Sequence, residues 1–81
     1  METKDNIREI LEEMHQDVDY DAEKQLVTGK ILDSFDLASL VTELNDEFDI
    51  QITAKDFIEE NFNSLDAIVR LVERLTGGQR R

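Results

Sequence analysis

Three times along the chain, apolar residues recur at the spacing of one face of an α-helix, and no proline interrupts them. Ile7, Ile10, Leu11 and Met14 fall at i, i+3, i+4 and i+7. Leu37, Val41, Leu44 and Phe48 repeat the pattern, widened by Ala38 and Leu40, and Leu65, Ile68, Val69, Val72 and Leu75 repeat it again. Such a stripe is stable only when something covers it. A chain of 81 residues holds one small core, so the stripes must cover one another. The expectation is an all-α four-helix bundle over residues 1–76, followed by a flexible tail, 77–81.

The first helix should run from Thr3 to about Gln16, with Glu9, Glu12 and Glu13 in solvent and Asp5 in the first turn, where the helix dipole favours a negative charge. From Asp17 to Leu32 the periodicity is lost. A connection this long stays compact only if its own apolar residues pin it down. Val18, Tyr20, Leu26, Val27, Ile31 and Leu32 are therefore expected across the end of the bundle, with a helical turn at Ala22–Leu26 and a turn at Thr28–Gly29. The second helix starts at Asp33 or Ser34, both good N-cap residues. Asp49-Ile50-Gln51-Ile52 alternates like a strand, but four residues make no sheet; an extended link with inward isoleucines is expected. Thr53-Ala54-Lys55-Asp56 has the form of a capping box opening a short third helix with Phe57, Ile58 and Phe62. Asn63 or Ser64 caps the last helix, Arg70 and Arg74 stay outside, and Gly77-Gly78 ends it.

Nine basic residues against twenty acidic ones give a formal charge of −11. That sign opposes sequence-independent binding of nucleic-acid phosphates and suits partners with basic docking patches. There is no cysteine, hence no disulfide and no thiol of the chain's own. Charges interrupt every apolar cluster, so no signal peptide and no membrane insertion are expected; the default is a cytoplasmic monomer.

Two chemistries can be weighed from the residues. Asp17-Val18-Asp19-Tyr20-Asp21 opens like a calcium loop, yet such loops want Gly sixth and Glu twelfth, and the chain has Ala22 and Thr28. No metal site is therefore assigned. A nucleophilic serine needs a base, and the single histidine, His15, falls on the first helix among charged neighbours, where it reads as a surface residue. No catalytic residue is expected.

The remaining feature is Leu32-Asp33-Ser34-Phe35-Asp36-Leu37. It puts one hydroxyl at a helix start between two aspartates. Between Lys30 and Lys55 there are six acids (Asp33, Asp36, Glu43, Asp46, Glu47 and Asp49) and no base. An N-cap role explains a serine at Ser34 but not its acidic flanks. A phosphodiester on the Ser34 oxygen would lie at the positive end of the helix dipole, a favourable place for an anion.

Asp33-Ser34-Phe35-Asp36, Leu40-Val41, Glu47-Phe48-Asp49-Ile50-Gln51-Ile52 and the closing Ser64-Leu65-Asp66-Ala67-Ile68 together resemble the acyl carrier protein family over nearly the whole chain. The resemblance implies that family's bundle, with a long first loop and a short third helix. It implies that Ser34 receives a 4′-phosphopantetheine arm from coenzyme A through a phosphopantetheinyl transferase, and that the arm's thiol carries acyl intermediates as thioesters. The borrowed thiol accounts for a thiol carrier without cysteine. Asp33, Phe35 and Asp36 would be recognised by the transferase, and Glu43, Asp46 and Glu47 by acyl-transferring, condensing or adenylating enzymes. Three positions depart from fatty-acid carriers: Ser39 stands where an acid is typical, Phe35 where leucine is common, and Thr53 where proline is frequent. Leu-Asp-Ser-Phe is also similar to D-alanyl and other aminoacyl carriers, which an ATP-dependent ligase loads. An acyl carrier of fatty acid or polyketide synthesis is the first expectation, an aminoacyl carrier the second, and an unmodified acidic adaptor the third.

Overall fold

A computed structural model describes residues 3–77. Of the tail expected at 77–81, Gly77 instead closes the last helix, and the rest, with the Gly78 stop, lies outside the described residues. Helices α1 (Thr3–Met14), α2 (Ser34–Phe48), α3 (Glu59–Phe62) and α4 (Leu65–Gly77) follow one another, with a single 3₁₀ turn at Ala54–Asp56 before α3. α4 touches each of the other three helices and α1 also packs on α2. No helix among the described residues is long and apolar enough to cross a membrane.

The stripes meet in one core. α1 supplies Ile7 and Leu11, α3 supplies Phe62, and α4 supplies Leu65, Ile68, Leu71 and Val72, all essentially out of water. Each such side chain contributes roughly 1.5–3 kcal/mol of burial. The stripe on α2 is turned from the one expected: Leu40 and Leu44 are fully buried, whereas Leu37, Val41 and Phe48 are only half-buried. α2 is covered by α1 and α4, and its Ala38–Val41 side faces an open groove lined with Ile52, Ala54 and Phe57. Ile50 and Ile52 enter the core from the extended link, as their alternation predicted. That link is held by Asn45, whose side-chain oxygen accepts the Ile52 N–H at 2.9 Å and whose carbonyl accepts that of Ile50 at 3.2 Å.

The long connection is pinned more firmly than its apolar residues alone would manage. Tyr20, Leu26 and Leu32 are buried, while Val18, Val27 and Ile31 pack at the edge. Asn63, just past α3, accepts the Leu26 N–H on its carbonyl (2.8 Å) and those of Val27 and Thr28 on its side-chain oxygen (2.9 and 3.0 Å). Left unpaired, the amide of buried Leu26 would cost about 1–3 kcal/mol. The helical turn expected at Ala22–Leu26 is absent; a turn forms at Tyr20–Ala22, where Asp19 carbonyl accepts both Ala22 and Glu23 N–H groups. The Thr28–Gly29 turn is present. A Cβ on Gly29 would lie 2.5 Å from the Gln25 carbonyl oxygen, which already accepts the Gly29 N–H, so the close approach requires glycine.

The third helix departs from expectation. Thr53 makes no side-chain cap, and the chain runs extended at Ile58 before α3 begins. Asp56, which would have folded back on Thr53, is engaged by Arg74 of α4 at 3.3 Å instead. Phe57 and Ile58 are half exposed and outside any α-helix, while Phe62 is buried and meets the Phe57 ring edge-on at 5.6 Å between centroids. Ser64, rather than Asn63, caps α4, its hydroxyl accepting the Ala67 N–H at 3.0 Å.

Candidate functional site

Ser34 is the first residue of α2 and is exposed. Asp33, with extended backbone, is the N-cap: its Oδ1 accepts the Asp36 N–H at 2.9 Å, and Asp36 Oδ2 in turn accepts the Asp33 N–H at 3.4 Å. This reciprocal box meets two of the amides that every helix start leaves without partners. Because Asp33 does the capping, the Ser34 hydroxyl is not needed for it. The oxygen therefore stands at the positive end of a 15-residue helix, free for chemistry.

Asp36 is not the open acidic handle that the sequence suggests. Its Oδ2 also meets His15 Nε2 at 2.8 Å, and its side chain is only 21% exposed. The His15 hydrogen bond, with help from Asp33, holds the Asp36 carboxyl below the usual carboxylate range. His15 lies one residue past α1, half-buried, and not on a free surface as its charged neighbours implied. The buried Tyr20 hydroxyl donates to the His15 carbonyl at 2.8 Å and to the Leu11 carbonyl at 3.0 Å. Burial, with Glu12 and Asp36 nearby, pushes the Tyr20 phenol above its ordinary value, so it remains a donor. His15 and Asp36 are 21 residues apart in sequence, and no periodicity links them. The signal available was the lone histidine close to the end of a helix whose neighbours are acidic.

A depressed carboxyl ties the pair to acid stability. A group whose folded pKa lies below its unfolded value stabilises the fold above that unfolded value, near 3.9 for aspartate, and the contribution is lost as pH falls through the folded one. Thermal melts from pH 6 down to pH 3 should therefore fall more steeply for the wild type than for Asp36→Asn. Parallel curves would exclude a role for this pair in acid stability.

The other residues singled out by sequence spread along one exposed helix. Phe35 is 77% exposed beside Ser34. Glu43, Asp46 and Glu47 are all in solvent, Glu43 and Glu47 one turn apart on the same face. On its other side Ser34 borders a shallow groove with Val27, Lys30, Leu37 and Glu59. Lys30 reaches this edge from a left-handed backbone conformation (φ 65°). The second groove, beside Ala38, Val41, Ile52 and Phe57, is almost wholly apolar and encloses about 290 Å³.

Comparison with known proteins agrees with this geometry. Residues 4–72 match the family model described as the phosphopantetheine attachment site. The chain is similar to the D-alanyl carrier protein of Streptococcus sanguinis (strain SK36), with 32% identity over 76 residues that cover 93% of this chain and 96% of that one. The D-alanyl carrier proteins of Streptococcus gordonii and Streptococcus thermophilus are 30% identical over the same shares.

Proposed function

The chain belongs to the phosphopantetheine-attachment family of carrier proteins, and from that premise we propose that it presents a small aminoacyl cargo, with D-alanine the first candidate, on an arm attached to Ser34. It is a carrier and not an enzyme, bears covalent 4′-phosphopantetheine, is modified by a phosphopantetheinyl transferase and delivers to partner enzymes. The arm supplies the thiol that holds cargo as a thioester.

The residues around Ser34 fit such a group. The serine oxygen is exposed, the helix start favours the phosphodiester charge, and Lys30 borders the same groove. In the attachment step this oxygen forms a bond to the phosphorus joining pantetheine to the nucleotide of coenzyme A. The P–O bond to the nucleotide breaks, and the hydroxyl proton passes to a base on the transferase. Weak docking suffices thereafter, because a tether raises the local concentration of cargo at each docked active site.

The observation that carries the aminoacyl reading is similarity to D-alanyl carrier proteins along nearly the full length of both chains. Ser39, standing where fatty-acid carriers place an acid, agrees with it. One observation favours the acyl reading: the apolar groove beside Ala38 and Val41, which has room for a short hydrocarbon chain.

Loading experiments separate the two. The arm-bearing protein is offered D-alanine with ATP and a D-alanine-activating ligase, or malonyl-coenzyme A with an acyl transferase, and its intact mass is read. A hydroxylamine-labile alanyl adduct in the first mixture only is expected. Loading in the second mixture only would overturn the aminoacyl reading in favour of the acyl one.

A further inference from the structure

A hydrogen bond between His15, one residue past α1, and Asp36 ties the end of α1 to the capping box around Ser34. Asp36 Oδ2 takes two donors, the His15 ring at 2.8 Å and the Asp33 N–H at 3.4 Å. Asp33 immediately precedes the serine. Behind His15 the Tyr20 hydroxyl, on a ring that is 3% exposed, grips the His15 carbonyl, and the His15 N–H continues the α1 ladder to Leu11 at 2.9 Å. A continuous line of hydrogen bonds thus joins a buried ring to the backbone next to Ser34. The capping box alone fixes the local backbone of α2. It cannot fix where the start of α2 sits against the rest of the bundle. The core packing of Leu32, Leu37 and Leu40 holds it there, and the His15 bond adds a directional polar tie.

We propose that His15 is a positioning residue for attachment of the arm: through Asp36 it braces the helix start so that the Ser34 oxygen is presented in one orientation. The proposal rests on Ser34 as the modified residue. A second consequence follows from charge. Two carboxylates flank the oxygen that must meet a phosphate, and a donor on Asp36 offsets one of them. Asp36 accordingly serves the site from within the fold, whereas exposed Phe35 and Asp33 are the residues a transferase meets directly.

The test measures kcat/KM for arm addition to the full chain by intact mass, with coenzyme A, magnesium and a transferase, each variant being checked by circular dichroism for folding at the assay temperature. His15→Leu, which removes the donor, should lower kcat/KM roughly tenfold, the scale of losing a hydrogen bond to a charged group. His15→Gln, which keeps an N–H within reach, should stay within about twofold of the wild type. In an Asp36→Ala background the His15→Leu change should add nothing, because the pair acts as a unit. Should His15→Leu be unfolded, His15→Asn, polar but too short to reach Asp36, takes its place with the same expectation. Unchanged kcat/KM in the Leu or Asn variant, no recovery with Gln, or a full loss that persists without Asp36 would each overturn the brace while leaving Ser34 as the attachment point. A wild-type chain that several transferases leave unmodified would overturn the Ser34 reading and the brace with it.

Discussion

Ser34→Ala should take up no arm from coenzyme A under conditions in which the wild type gains exactly one, and its helical fold should be unchanged. The loss is total because the change removes the bond-forming atom. The fold survives because the cap belongs to Asp33, whose Oδ1 holds the Asp36 N–H without help from Ser34, and because alanine is a good helix former. The stability change should remain within about 0.5 kcal/mol, the usual range for surface substitutions. Intact mass and a thermal melt on the same sample read both halves. The chain has two other serines, Ser39 and Ser64, and they serve as internal controls. Ser64 is half-buried with its hydroxyl accepting the Ala67 N–H, and Ser39 lies within α2 rather than at its start. An arm on the Ser34→Ala protein would move the attachment site elsewhere and remove the basis for every role assigned around Asp33 and Asp36.

What could be read in the sequence was whatever is encoded by local period or local chemistry. α1, α2 and α4 announce themselves by apolar spacing, the start of α2 by Asp33-Ser34, and the inward Ile50 and Ile52 by alternation. What could not be read depends on partners far along the chain. Spacing leaves Asn63 and Ser64 as equal candidates to cap α4; Ser64 takes the role, while the Asn63 side chain holds Val27 and Thr28, 36 and 35 residues away. Thr53-Ala54-Lys55-Asp56 reads as a capping box, but Arg74 engages Asp56 from 18 residues away, and the third helix has only four residues. The turned stripe on α2 has the same origin: spacing defines an apolar face about 100° wide, and only the placement of α1 and α4 decides which of its residues are sealed. At the site itself the serine was legible and its support was not. His15 reads as a solvent-facing residue in one dimension and becomes a hydrogen-bond partner of Asp36, two residues from Ser34, in three.

The reversal Glu43→Lys with Glu47→Lys should lower kcat/KM for partner enzymes by roughly tenfold or more at low salt, the range in which electrostatic steering acts, and leave the melting temperature unchanged or raised. These acids are unfavourable for the helix that carries them. The end of a helix carries a partial negative charge and favours cations, yet the last turn of α2 has no base, and Asp46, Glu47 and Asp49 crowd there in a protein of net charge −11. Fold stability would place lysines at these positions. None of Glu43, Asp46 or Glu47 makes an ion pair among the described residues, and all three are exposed, so the acids do not support the bundle. We propose that this surface, charged against its own interest, serves the basic patch of an enzyme that must meet the carrier quickly and release it. The effect should fall on association, leaving kcat nearly intact, and should shrink as salt rises, because the Debye length is about 10 Å at 0.1 M. A double reversal that leaves kcat/KM unchanged at low salt would take this face of α2 out of partner recognition and leave the exposed Phe35 beside Ser34 as the remaining contact.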